Sequence, residues 1–157
     1  TYDEELCKKI EPNVSTTKER FEVLKIMRDN GIPTVVWLTP ILPYINDTEE
    51  NIREILNYCI EAKVKGIIVF GMGLTLRDGN REYYYKNLDK YFKGLKEKYI
   101  NKYGNSYEVL SENHEKLMKI IKETCTKNNI ICRVEEVFKY MKTFEEKNNE
   151  IQVSFDI

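Results

Sequence analysis

Two kinds of apolar spacing alternate along the first half of this chain. Phe21, Leu24 and Met27 recur at helical intervals, with Val23 and Ile26 widening the stripe. Thr16 and Glu19 ahead of them form a capping-box pattern, and Asn30-Gly31 followed by Pro33 stops the helix. Thr34-Val35-Val36-Trp37-Leu38 is then apolar without a break and rich in β-branched residues, as in a strand buried on both faces. The same unit comes again. Asp47 and Glu50 cap a second helix whose stripe is Ile52, Ile55, Leu56, Cys59 and Ile60. Ile67-Ile68-Val69-Phe70 reads as a second buried strand, closed by Gly71-Met72-Gly73. A short helix ending near Ile10, broken at Pro12, precedes the first unit. The alternation predicts an α/β fold of β/α units on a parallel sheet, with short right-handed connections.

The pattern changes after Asp78-Gly79-Asn80. Tyr83, Tyr84, Tyr85, Leu88, Tyr91, Phe92, Leu95 and Tyr99 predict one or two helices, interrupted near Gly94. Leu117, Ile120, Ile121 and Cys125 form the inward stripe of a helix over residues 111–128. Ile130-Ile131-Cys132 predicts a short last strand, and Val134, Val137, Phe138 and Met141 a final helix. The organisation expected is a β/α part over 1–78, a helical extension packed on it over 79–143, and a flexible tail over 144–157.

Composition narrows the function classes. Twenty-five Lys and Arg against 26 Asp and Glu give a net charge of −1, which excludes a basic nucleic-acid glove on global charge. The hydrophobic share of 41% and charged share of 32% fit a globular chain of one domain's length. No apolar run reaches the roughly 18 residues of a membrane span, and no secretory signal pattern opens the chain. Cys7, Cys59, Cys125 and Cys132 match neither a zinc ribbon nor a redox pair, so free thiols, a cytoplasmic location and no metal site are expected. With His114 alone, a Ser/His/Asp triad is hard to build. The first residue is Thr1 rather than Met, so a piece of a longer protein is expected.

In a parallel β/α sheet, ligands bind beyond the C-terminal strand ends. That rule selects Thr1-Tyr2, the loop from Thr39 through Pro40 to Asn46, and the loop from Gly71 to Arg77. Gly71-Met72-Gly73 resembles half of a phosphate-binding loop but lacks the third glycine and the following helix. Its glycines either let the chain turn off a strand or let a ligand approach the backbone. Asn46-Asp47 is a helix cap that could also face a polar ligand. Arg77 could pair with a substrate carboxylate or phosphate. Tyr83-Tyr84-Tyr85, with Lys86, Lys90 and Lys93, offers either a binding edge or helix packing with snorkelling lysines. His114 is expected at the surface, in the first turn of its helix.

Several of these segments, in order, resemble one family. Thr1 to Pro12, Ser15 to Arg20, Gly31-Ile32-Pro33, Pro40-Ile41-Leu42-Pro43-Tyr44-Ile45-Asn46-Asp47 and Gly71-Met72-Gly73-Leu74-Thr75-Leu76-Arg77 resemble radical SAM proteins related to spore photoproduct lyase. The resemblance implies the C-terminal portion of a partial (β/α)6 TIM-like barrel with a helical extension. It implies S-adenosyl-L-methionine and a [4Fe-4S] cluster as cofactors of the intact protein, generating a 5′-deoxyadenosyl radical. The cluster's C-x₃-C-x₂-C loop is absent here, so the cluster would be held by a missing N-terminal part. Thr1 and Tyr2 would lie near the ribose or methionine portion, Thr39, Pro40 and Asn46 on the same face, and Gly71, Met72 and Gly73 near adenine. The implied partner is that missing half, or a second copy through self-association, since the first strand is otherwise an open edge. Substrate is unknown, no catalytic residue is assigned, and nucleic acid is a partner by family analogy alone. Gln152-Val153-Ser154-Phe155 loosely resembles sliding-clamp peptides. The alternative is a non-catalytic protein-interaction module using the Tyr/Lys-rich helical region. A β/α hydrolase or transferase is disfavoured, because no acids converge at the strand ends.

Overall fold

Side-chain caps start the first three helices. The computed structural model describes residues 1–143. α1 (Glu4–Ile10) opens under Asp3, whose carboxylate accepts from the Leu6 N–H. α2 (Thr17–Asp29) opens with the predicted reciprocal box. The Thr16 hydroxyl accepts from the Glu19 N–H at 3.3 Å, and the Glu19 carboxylate accepts from the Thr16 N–H at 2.6 Å. α3 (Glu49–Glu61) is capped one residue later than predicted. The Thr48 hydroxyl accepts from the Asn51 N–H, which leaves Asp47 for another role.

β1 (Val35–Trp37) and β2 (Gly66–Ile68) pair in parallel, Val35 opposite Gly66 and Trp37 opposite Ile68. Ile131 adds an isolated parallel bridge to Gly66 on the far side of β2. The predicted last strand is thus a single bridge. A second sheet was not foreseen. β3 (Gly73–Thr75) pairs antiparallel with β4 (Glu108–Leu110), which lies beyond two helices, α4 (Asn80–Tyr91) and α5 (Leu95–Tyr103). Gly94 separates those helices at φ +79°, a left-handed conformation that glycine adopts without strain. α6 (His114–Lys127) and α7 (Val134–Lys142) complete the order.

The packing forms two apolar clusters. The larger joins Ile52, Ile55, Leu56 and Cys59 of α3 to Leu117, Ile120, Ile121 and Cys125 of α6, with Ile67 and Val69 between them. The smaller gathers Leu76, Leu88, Tyr99 and Val109, with Tyr44, Tyr84, Tyr85 and Tyr103 around them. Among the described residues no helix is long and apolar enough to cross a membrane.

The expectation of a partial TIM-like barrel is overturned. Two separate two-stranded sheets are present, neither curled nor closed, among mostly helical residues. The physical reason lies at Gly71. After β2 the chain turns and pairs antiparallel with β4, so the apolar runs do not extend one parallel sheet. The predicted clamp-like peptide lies outside the described residues.

Candidate functional site

Two surfaces merit a functional reading. The first is a cleft of about 550 Å³ beyond the C-terminal ends of β1 and β2, with β3 and β4 forming a wall. Thr39, Pro40, Gly71 and Gly73, four residues picked from the sequence, line it together. Phe70 and Tyr84 add aromatic surface, and Glu11 and Glu108 are the charged residues of the lining. Arg20 holds the Glu11 carboxylate at 2.7 Å.

The other predicted site residues are elsewhere. Asn46 is buried: its side-chain oxygen accepts from the Leu42 N–H at 2.6 Å, and its carbonyl accepts from the Asn51 amide at 2.7 Å. These bonds shape the loop. Met72 is wholly buried, its N–H donating to His114 Nδ1 at 3.2 Å and its carbonyl accepting from the Ser111 N–H at 2.7 Å. Thr1 lines a smaller pocket of about 130 Å³ beside Trp37, Thr39 and Pro40. The Tyr2 N–H donates to Asn51, and its hydroxyl donates to Glu50, whose charge raises the phenol's pKa. Arg77 donates to the Tyr107 hydroxyl at 3.1 Å, outside the cleft lining.

The glycines of the third loop answer to the protein's own packing. A Cβ on Gly73 would lie 2.1 Å from the Val109 carbonyl oxygen, where β4 crosses. One on Gly71 would lie 3.2 Å from the His114 ring. His114 is half-buried, holding the β2 exit to α6, rather than free at the surface. Asp47 is buried and accepts from the Ser111 hydroxyl, and its carbonyl accepts from the Asn113 amide. These long-range contacts have no signature in residue spacing.

The family resemblance fails on its fold, and the described residues add no cluster site to support it. Among the described residues no group of three or more His, Cys, Asp or Glu could hold a metal. Cys59 and Cys125 lie in the core, where burial pushes their thiols up to about 12, with Cys132 adding to the effect at Cys125. A [4Fe-4S] cluster does not fit these residues, and the radical SAM reading of the chain is withdrawn with it.

The second surface is the α4–α5 hairpin. Its inner side is a knot of tyrosines. The Tyr84 hydroxyl donates to Tyr99 at 3.0 Å, and Tyr99 donates to the Pro43 carbonyl at 2.7 Å. Rings of Tyr44, Tyr84, Tyr85 and Tyr103 sit around Tyr99 at 5.4–6.4 Å. Desolvation pushes the Tyr84 phenol up to about 12 and raises those of Tyr99 and Tyr103 as well. The outer side carries Tyr83, 66% exposed, with Tyr91 and Ile100. Tyr83, Lys86 and Lys90 fall at i, i+3 and i+7, so they share one stripe of α4. Residues 80–104 hold seven Lys or Arg against three Asp or Glu, a local +4 in a chain of net −1.

Comparison with known proteins finds a partial likeness. Seventy-two residues are 29% identical to an uncharacterized protein of Mycobacterium tuberculosis, and to its counterpart in Mycobacterium bovis. The match covers 46% of this chain and 21% of theirs, so it spans about a fifth of the length of these curated relatives. No protein-family model matches, and no solved structure matches.

Proposed function

We propose that this chain is a protein-interaction module whose contact surface is the outer side of the α4–α5 hairpin, and whose partner presents acidic side chains around an apolar centre. One observation carries the reading: exposed Tyr83 shares a stripe with Lys86 and Lys90 on a helix whose inner side is fixed by the tyrosine knot. Tyrosine supplies contact area at low entropy cost, and surrounding cations steer an acidic partner. With a net charge of −1 over the whole chain, that steering rests on the local excess of cations in the hairpin. A photo-crosslinking residue at position 83 tests it in extract of the native cells. A discrete adduct is expected, lost when Lys86→Glu and Lys90→Glu are introduced and absent from a probe at Glu123 on α6. The same products from both positions, or none from position 83, remove the reading.

The cleft supports a second and smaller reading, as a binding site for a small organic ligand without any cluster or radical step. What favours it is the meeting of Thr39, Pro40, Gly71 and Gly73 at about 550 Å³, within the roughly 300–1,000 Å³ of small-molecule sites. S-adenosyl-L-methionine, the ligand that the sequence resemblance assigned to these loops, serves as the probe. Saturable heat in a calorimetric titration, diminished by Thr39→Trp, supports this reading. Featureless titration ends it for that ligand.

A further inference from the structure

The outer edge of β1 is open. The Thr34 carbonyl accepts from the Lys65 N–H at 2.8 Å, and the Leu38 N–H donates to the Ile68 carbonyl at 2.9 Å. Those bonds turn the main-chain groups of residues 34, 36 and 38 toward β2. Strand alternation then turns the N–H and C=O of Val35 and Trp37 to the opposite edge. None of these four groups has a hydrogen-bond partner among the described residues. Beside them Trp37 is 54% exposed and Phe70 is 61% exposed, their rings 5.8 Å apart edge to face. Phe138 of α7 completes the patch at 6.3 Å from Trp37.

We propose that this edge is a self-association site, at which β1 of one copy pairs antiparallel with β1 of a second copy about a two-fold axis at Val36. The register follows from which groups point outward. Centring the axis on Val36 sets Val35 opposite Trp37 of the second copy, and Trp37 opposite its Val35. Residues facing each other in this way exchange both main-chain bonds, so every outward group on both strands is satisfied. A register shifted by one residue would set an outward-facing residue against one turned toward β2, and the bonds would be lost. The pairing makes a four-stranded sheet, β2-β1-β1-β2, and covers part of each Trp37 ring with Val35 of the other copy.

Charge favours a second copy over a different partner here. Residues 30–46 carry no charged side chain, in a chain that is 32% charged. Open edges are commonly guarded by lysine, and this one has none. The net charge of −1 adds little repulsion between copies. Each copy contributes a strand of three residues, so the dimer is expected to dissociate on dilution. It is independent of the hairpin surface proposed above.

The test uses the full chain. Sedimentation velocity over about a hundred-fold concentration range reads the oligomer, and amide exchange reads the edge. A monomer–dimer equilibrium is expected, weakened at least about tenfold by Trp37→Lys, which leaves the β1–β2 bonds intact and sets a cation on the seam. The Val35 and Trp37 amides exchange slowly only at dimer concentrations. Three results overturn the proposal: a monomer throughout; a dimer that Trp37→Lys leaves unchanged while circular dichroism shows it folded; or slow exchange of both amides at every concentration, which means another segment of the same chain covers the edge.

Discussion

The Tyr99 hydroxyl donates a 2.7 Å hydrogen bond to the main-chain carbonyl of Pro43, 56 positions earlier in the chain. Tyr99 is fully buried, and Tyr84 donates to the same oxygen that makes this bond. The bond ties the helical hairpin to the loop that leaves β1. It also fixes which sides of α4 and α5 face inward, and therefore which residues the hairpin presents.

Replacing Tyr99 by Phe keeps the ring and removes the link. The Pro43 carbonyl and the Tyr84 hydroxyl then lose their partner. A loss of about 1–3 kcal/mol is expected from the penalty for unsatisfied buried polar groups, read from the midpoint of a urea transition. An unchanged midpoint would mean that water replaces the hydroxyl, and the link would not be structural.

Gly73 and Gly71 separate two kinds of constraint. Gly73→Ala forces a methyl to 2.1 Å from the Val109 oxygen, so β3 and β4 must part. Overpacking of this sort costs roughly 1–3 kcal/mol, or several degrees in Tm for a chain of this size. Gly71→Ala meets the His114 ring at 3.2 Å, a contact that a small shift of the ring relieves. Its Tm is expected to fall by less. Equal losses would contradict the β3–β4 account.

The tyrosine knot sets an alkaline limit. Burial raises the folded-state pKa of Tyr84 to about 12, above the roughly 10 of an unfolded tyrosine. Its contribution is therefore complete below about pH 10 and is lost as pH rises toward 12. Tyr99 and Tyr103 shift in the same direction, from burial first. Phenolate absorbance from these three is expected to appear together with the loss of helical ellipticity. Full ionisation with the helices intact would show that the knot is open to solvent.

Thiol labelling should be ordered by burial. Cys132 is half-buried, while Cys7, Cys59 and Cys125 are at most 2% exposed. At pH 8 a disulfide reagent is expected to modify Cys132 first, with the others reacting only as urea unfolds the chain. Rapid labelling of Cys59 in the native protein would contradict the packing of α3 against α6.

The helices were legible from their apolar stripes, and the first three also from their caps. Thr16 and Glu19 announce α2, and Gly94 interrupts an apolar stripe where the chain must turn. β3 and β4 were not legible. Gly73-Leu74-Thr75 and Glu108-Val109-Leu110 are too short to show a period of two, and they pair across two helices. Two apolar runs of parallel-strand character suggested a parallel β/α sheet, which the family resemblance extended to a barrel, yet the residues actually paired number three in each strand. The site was half legible for a related reason. Strand-end logic brought Thr39, Pro40, Gly71 and Gly73 to one cleft. It could not tell that Asn46 and Met72 turn inward, because their partners Asn51, Ser111 and His114 are set by tertiary packing.

The most direct test of the interaction surface is an amide chemical-shift titration of the isotope-labelled chain with an acidic peptide bearing one central aromatic residue. Shifts are expected to concentrate on Tyr83, Lys86, Lys90 and Tyr91, to weaken as salt is raised, and to vanish in the Lys86→Glu, Lys90→Glu variant. No saturable shift, or shifts centred on Thr39, Gly71 and Gly73 instead, would contradict the assignment of the contact surface to the α4–α5 hairpin.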